Sequence, residues 1–168
     1  ARQPRIIATR FHAHRGKEQY LDSFAESGVR ALWEKGVELG LIVELHIGPN
    51  YASQVAEVLR DIPETTALID HLAEPHMGSG VEFAEVLELA SFERVYMKLS
   101  GLNHFAKDVP FYESARSFTK RVIEAFGVER MVWGSGSPGI VDAHMKGYTE
   151  EEREKVRGGN LDGLLDWA

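Results

Sequence analysis

The 168-residue sequence contains no cysteine. That absence removes disulfides, thiolate metal sites and cysteine nucleophiles together. Proline is scarce at 6 residues, and no linker or low-complexity segment divides the chain. Long apolar runs are missing too. Stretches such as Gly40–Val43 and Ala67–Ile69 fall far short of the ~20 residues a membrane-spanning helix needs. No basic segment followed by an apolar one opens the chain, so no signal peptide is visible. Positive charge is in short supply, with 19 Lys and Arg against 26 Asp and Glu and a net charge of −7. A polyanion is repelled on average, so neither nucleic acid nor a membrane is an expected partner. The hydrophobic fraction of 43% is ordinary for a globular core and excludes a disordered chain. A soluble, cytoplasmic protein is the expectation. Its chemistry is left to His, carboxylates, hydroxyls and amides.

What is present is an alternation of short β-rich runs with longer segments of helical spacing. Arg5–Arg10, Leu41–His46, Thr66–Asp70, Val95–Leu99 and Met131–Gly134 read as strands. Ala25–Leu39, Ala52–Arg60 and Val81–Leu89 carry apolar residues on one helical face. Pro110 suits the first turn of a helix running to Phe126. Thr149 followed by Glu150, Glu151 and Glu152 reads as a capping box, and Leu161–Trp167 as a last short helix. The strands start about 31 residues apart, the ~30 residues of a βαβ unit. A single α/β domain over residues 1–168 with a parallel sheet follows. Two architectures fit: an open flavodoxin-like sheet, or part of an eight-stranded (β/α) barrel. Three more such units would bring the chain near the ~250 residues typical of that barrel. Strands adjacent in sequential order are expected of the barrel, and a switch point of the open sheet. The chain opens without Met almost directly in a strand, so it reads as cut from a longer one.

In either architecture ligands bind beyond the carboxyl ends of the strands. Those ends carry Arg10 and His12, then His46, then Asp70 and His71, then Lys98 and Ser100, then Gly134-Ser135-Gly136-Ser137-Pro138. Imidazoles thus end two consecutive strands. Neutral imidazole suits a transition ion such as Zn²⁺, and it also polarises a carbonyl or orients water. His12-Ala13-His14 has a spacing that puts two rings on one face of a strand, and reads as a surface or substrate-site pair. His76, Asn103 and His104 fall in loops and read as loop residues outside the chemistry.

Several motifs then stand in register. They are Leu39-Gly40-Leu41 before the strand ending in His46, Leu68-Ile69-Asp70-His71-Leu72, Val95-Tyr96-Met97-Lys98-Leu99-Ser100-Gly101-Leu102, Arg130-Met131-Val132-Trp133-Gly134-Ser135, and Gly158-Gly159-Asn160. With them the sequence resembles the amidohydrolase-2 branch of the amidohydrolase superfamily, a group of lactonases and related hydrolases. The resemblance implies a TIM-type (β/α)8 barrel of which this chain supplies strands four to eight. It places the fifth- and sixth-strand histidines on His46 and His71, as catalytic residues. Superfamily members use this pair as ligands of a divalent metal such as Zn²⁺. Lactonase-like members also use it as direct electrophiles with no metal. Both readings stay open. Lys98 and Ser100 match the Lys-Leu-Ser-Gly segment, and Arg10 and Arg15 fall where such members place Arg for a substrate carboxylate. With His12 these are the expected substrate-binding residues. A planar guanidinium grips a carboxylate bidentately, so the chemistry fits.

One departure matters. The family's eighth strand carries an Asp that deprotonates the attacking water, and that position is Gly136. Asp142, six residues on, is the one nearby carboxylate that could reach back. Two functions follow. The first is a hydrolase acting on the lactone, ester or amide carbonyl of a small molecule, acidic ones among them. The second is a non-catalytic barrel fragment that binds a small acid or pairs with another chain. Two unpaired strand edges invite such pairing, so a homo-oligomer is expected.

Overall fold

A computed structural model describes residues 6–15 and 18–165, with Arg15 described by its backbone alone. The expected Arg5 strand start and Trp167 helix end lie outside those residues. The described strands are β1 (Ala8–His12), β2 (His14–Arg15), β3 (Glu18–Gln19), β4 (Ile42–His46), β5 (Ala67–Ile69), β6 (Val95–Leu99) and β7 (Met131–Trp133). β2 and β3 form a small antiparallel ribbon, while β1, β4, β5, β6 and β7 form one parallel sheet in that spatial order. No strand is skipped, so the sheet has no switch point. It is an arc of a (β/α) barrel, and the open doubly wound alternative is excluded.

Strand periodicity gives the arc two faces. Val43, Leu45, Ala67, Ile69, Val95, Met97, Leu99 and Met131 point outward into the main core. That core is closed by α1 (Ser27–Glu38), α2 (Ala52–Asp61), α3 (Gly80–Glu88) and α4 (Arg116–Phe126), which bury residues such as Trp33, Val55, Phe83 and Val122. Gly36 lets α1 lie close on β1, since a Cβ there would sit 3.0 Å from Thr9 Cγ2. The other face is layered. Ile42, Leu68 and Val132 form its apolar floor, together with Leu164. Above the floor lie Arg10, Glu44, Asp70 and Lys98, and above those His12 and His46 at the carboxyl ends.

The chain ends with α5 (Gly139–His144), α6 (Glu150–Glu154), a π turn over Lys155–Gly159 and α7 (Asn160–Leu165), which brings Leu164 onto the floor. The Thr149–Glu152 capping box is present, and Ser79 and Glu82 form a second one at α3. The helix expected to start at Pro110 begins instead at Arg116. The Val109–Pro110 peptide is cis. Asp108 holds the intervening loop by accepting from the Ser114 backbone N–H at 2.9 Å and from the Ser114 hydroxyl. No helix among the described residues is long and apolar enough to cross a membrane.

Candidate active site

The upper layer of the arc is built by strand ends and one unusual turn. His71, Leu72, Ala73 and Glu74 follow β5 with φ of 53°, 56°, 55° and 48°, four consecutive non-glycine residues in the left-handed region. Each such residue costs roughly 1–2 kcal/mol. The turn persists because it is bonded and anchored. The Ala73 N–H donates to the Asp70 carbonyl at 2.8 Å, the Glu74 N–H to the His71 carbonyl at 2.9 Å, and Leu72 and Ala73 are fully buried. Its effect is to fold Glu74 back toward the strand ends, where the carboxylate is only 2% exposed.

Around that carboxylate the imidazoles gather. His104 Nδ1 lies 2.8 Å from Glu74 Oε1 and 3.0 Å from Oε2, His46 Nε2 lies 3.3 Å from Oε1, and His76 Nδ1 lies 3.5 Å from Oε2. His71 meets His46 and His104 edge-on, with ring centroids 5.1 Å from each. His12 stacks on His46 at 4.3 Å, and His14 meets it edge-on at 5.0 Å. Six of the seven histidines therefore share one site; the seventh, His144, binds Thr119 and the Phe111 carbonyl elsewhere. A cavity of about 410 Å³ opens among them, lined by His12, His14, His46, Glu74, His76, Met77 and His104.

Electrostatics sort these groups. Burial alone would raise the Glu74 carboxyl, but hydrogen bonds and charge from His46, His104 and His71 outweigh it and hold it below its usual range. Burial pushes His71 down, against weaker upward pulls from Asp70 and Glu74. Burial also pushes His14 down, helped by His46 and opposed by the Ile47 backbone. At neutral pH Glu74 is thus an anion, while His14 and His71 are neutral. His14 is 4% exposed, and neither of its ring nitrogens has a hydrogen-bond partner. A buried orphan of that kind costs free energy unless something else comes to it.

The middle layer supports the upper one. Asp70 pairs with Arg10 and, at 2.9 Å, with Lys98, and Lys98 also pairs with Glu44. Arg10 Nη2 lies 3.2 Å from His46 Nδ1. A guanidinium only donates, so His46 Nδ1 accepts there and the ring proton sits on Nε2, toward Glu74. Ser100 Oγ lies 2.8 Å from His71 Nδ1 and orients that ring. Gly101 permits the approach: a Cβ on it would fall 2.6 Å from His71 Cβ and Cγ.

The structure thus brings His12, His46, His71 and Ser100 to one site. Arg10 and Lys98 lie one layer deeper, each already facing a carboxylate of the chain itself. The Arg15 side chain lies outside the described residues. His76 and His104, read as loop residues, stand on Glu74. Glu74 itself was not singled out from the sequence. Asp142 does not reach back, because Arg157 binds it and Arg153 lies 3.5 Å away. Gly136 has a φ of 84°, and a Cβ there would fall 2.8 Å from Ile140 Cδ1.

His46, His71 and Glu74 each turn one metal-ligating atom into a common space, all within 4.8 Å of one another. The donor set fits a divalent cation such as Zn²⁺: two imidazoles, one of them held neutral, and an ionised carboxylate. The 3.3 Å between His46 Nε2 and Glu74 Oε1 is close to the edge of a tetrahedron with ligands about 2.0–2.2 Å from its centre.

Known proteins resemble this chain in sequence and in fold. L-fucono-1,5-lactonase of Burkholderia ambifaria is 32% identical over 95 residues, which are 55% of this chain and 33% of that protein. Amidohydrolase 2 from Bifidobacterium longum subsp. infantis superposes with a TM-score of 0.66 at 25% identity, over 96% of this chain and 61% of its own. A Burkholderia multivorans amidohydrolase solved with bound zinc gives a TM-score of 0.72 at 17% identity, over 95% of this chain and 64% of its own. That last likeness speaks to the fold alone. The chain therefore spans about a third of the curated relative and under two thirds of these solved structures. A family model described as amidohydrolase matches residues 1–160, and the chain belongs to the amidohydrolase family.

Proposed function

We propose that this chain carries the carbonyl-polarising part of a hydrolase acting on a lactone, ester or amide of a small molecule. The observation that carries the reading is a cluster of six imidazoles at the strand ends of a barrel arc, three of them directly on one buried carboxylate. The Burkholderia lactonase adds support, since a sugar lactone is a cyclic ester carrying hydroxyl groups and the cavity is walled largely by imidazoles, those of His12, His14, His46, His76 and His104. Neutral imidazoles offer one donor and one acceptor each, the complement of hydroxyl groups.

His46 and His71 are the residues that would hold a divalent metal such as zinc, and the metal, when bound, would polarise the carbonyl as a Lewis acid. The chain's own groups do the rest. His46 presents Nε2 to the cavity because Arg10 occupies Nδ1. Ser100 holds the His71 ring in place, so both rings meet the carbonyl in a fixed orientation. β7 is followed by Gly134-Ser135-Gly136-Ser137 and no carboxylate, so the proton lost by the attacking water passes to an imidazole of the cluster. His14, whose ring nitrogens are engaged by no hydrogen bond, has a nitrogen open to it.

A second reading rests on Gly136. Without a carboxylate at the end of β7, the same cavity serves a module that binds a lactone or small acid and does not turn it over. A pH-indicator assay on L-fucono-1,5-lactone and related lactones separates the two. Hydrolysis by the unaltered chain that falls at least 100-fold in His46→Asn and His71→Asn supports the hydrolase. Saturable lactone binding by calorimetry, without turnover, sinks it and leaves the binding module.

A further inference from the structure

The end of β7 and the turn after β5 differ in a way the sequence motifs do not reveal. Around Gly136 the backbone is one that L side chains rarely adopt: φ is 84°, and an added Cβ would meet Ile140 Cδ1 at 2.8 Å, so that side-chain end would have to shift. The nearest carboxylate downstream, Asp142, is bound by Arg157. The turn after β5, by contrast, carries a buried carboxylate. Glu74 reaches the strand ends only because four residues adopt left-handed backbone. That strain is retained at a point where it aims a charged group into a histidine cluster, the situation in which strain most often serves function.

We propose that Glu74 supplies the anionic ligand that Gly136 lacks, so that a divalent cation is held by His46, His71 and Glu74, with His104 as the positioning residue for the carboxylate. Three observations carry this. The ligating atoms of the three residues converge within 4.8 Å. Glu74 is 2% exposed, so its charge is placed where solvent does not satisfy it. His104 faces both carboxylate oxygens, at 2.8 and 3.0 Å, which restrains the carboxylate. Such outer partners orient ligands and are worth 10–100-fold in metal affinity. Loading has one further consequence. With Nε2 of His46 taken, its proton moves to Nδ1, which becomes a donor. Arg10 then keeps only its Asp70 partner.

The inference rests on the hydrolase reading only for the use of the site, not for its existence. The test is zinc binding by the tag-free 168-residue chain, titrated with ZnCl2 against a chromophoric chelator, and the visible absorption of the Co²⁺ form. We expect one tight equivalent per chain. Glu74→Gln, which keeps the shape and removes the charge, should weaken zinc about 100-fold or more and bleach the tetrahedral Co²⁺ bands. His104→Gln should weaken it about 10–100-fold. Asp142→Asn should leave it unchanged. Zinc binding by Glu74→Gln within threefold of the unaltered chain overturns the proposal. So does tenfold tighter binding by Gly136→Asp, or no tight equivalent in the unaltered chain. Should Glu74→Gln not fold, the zinc-soaked crystal of the unaltered chain decides. A Glu74 oxygen at about 2.0–2.2 Å from the metal supports the proposal. A metal on His46 and His71, with Glu74 still held by His104, defeats it. Tight zinc through Glu74 without hydrolysis of any lactone leaves this inference standing and removes the hydrolase reading alone.

Discussion

Replacing Asp70 with Asn tests the charged layer beneath the site. Asp70 is 1% exposed and faces two cations, Lys98 at 2.9 Å and Arg10. Burial alone would raise its carboxyl, but the Lys98 hydrogen bond and charge, followed by Arg10, hold it below its usual range. At an effective dielectric of about 20, one pair at that separation is worth roughly 6 kcal/mol of attraction. Most of it is offset, because burying a carboxylate costs several kcal/mol. The cations also soften the loss. Lys98 keeps Glu44, and Arg10, 44% exposed, keeps water. The net cost of Asp70→Asn is therefore about 2–4 kcal/mol, at or just below the 3–5 kcal/mol typical of breaking a buried pair. For a chain of this length 3 kcal/mol is a fall in Tm of roughly 6–12 °C. Urea unfolding followed by tryptophan fluorescence measures it, at low salt and again in 1 M NaCl. Because the pair is buried, the difference should survive high salt. A variant within 0.5 kcal/mol of the unaltered chain would refute the reasoning, as would a deficit that disappears in salt.

Three further changes probe other parts of the molecule. Gly101→Ala places a methyl 2.6 Å from His71 at a φ of 68°; it should lower stability by about 1–3 kcal/mol and weaken zinc binding in the chelator competition. Ser79→Ala removes one half of the capping box of α3 and should cost about 1 kcal/mol in urea unfolding, with zinc binding intact. His144 is buried, and burial, against an opposing bond to the Phe111 backbone, sets its pKa below the ordinary 6.5. The unfolded chain therefore takes up the proton first, and native stability should fall as pH drops below about 6.5, by at most about 1.4 kcal/mol per pH unit. His144→Gln should flatten that part of the pH–stability curve, and an unchanged slope would show that another group sets it.

The barrel arc was legible because strand and helix are written in the period of apolar residues. Val43 and Leu45, or Val95, Met97 and Leu99, announce a strand buried on its outer face. The 31-residue spacing announces a crossover between parallel neighbours. Sequential order followed from that spacing and from the apolar content of each strand. The start of α4 was not legible: Pro110 has the local signature of a first turn, and only the contacts of Asp108 with Ser114 show that the chain is still in a loop. The capping box at Ser79 was written plainly in the sequence, as Ser followed three residues later by Glu, and went unused.

The site divides along the same line. His46 and His71 could be found because a strand end is a fixed address, and residues at such addresses meet across a parallel sheet. His14, Glu74, His76 and His104 have no such address. Their convergence depends on a turn that L-residues avoid, and no periodicity encodes four positive φ values at His71–Glu74. Arg10 faces inward by strand alternation, opposite Glu44 and against Asp70. A chain that expected a substrate carboxylate would leave that guanidinium open. This one sets Asp70 against it and uses it to fix the His46 tautomer. Arg10 and Lys98 are thus committed to carboxylates of the chain, with Arg10 also on His46, and the histidines and Glu74 line the cavity. What the described strand ends present is a cluster of imidazoles around one buried carboxylate, the arrangement on which the proposed chemistry rests.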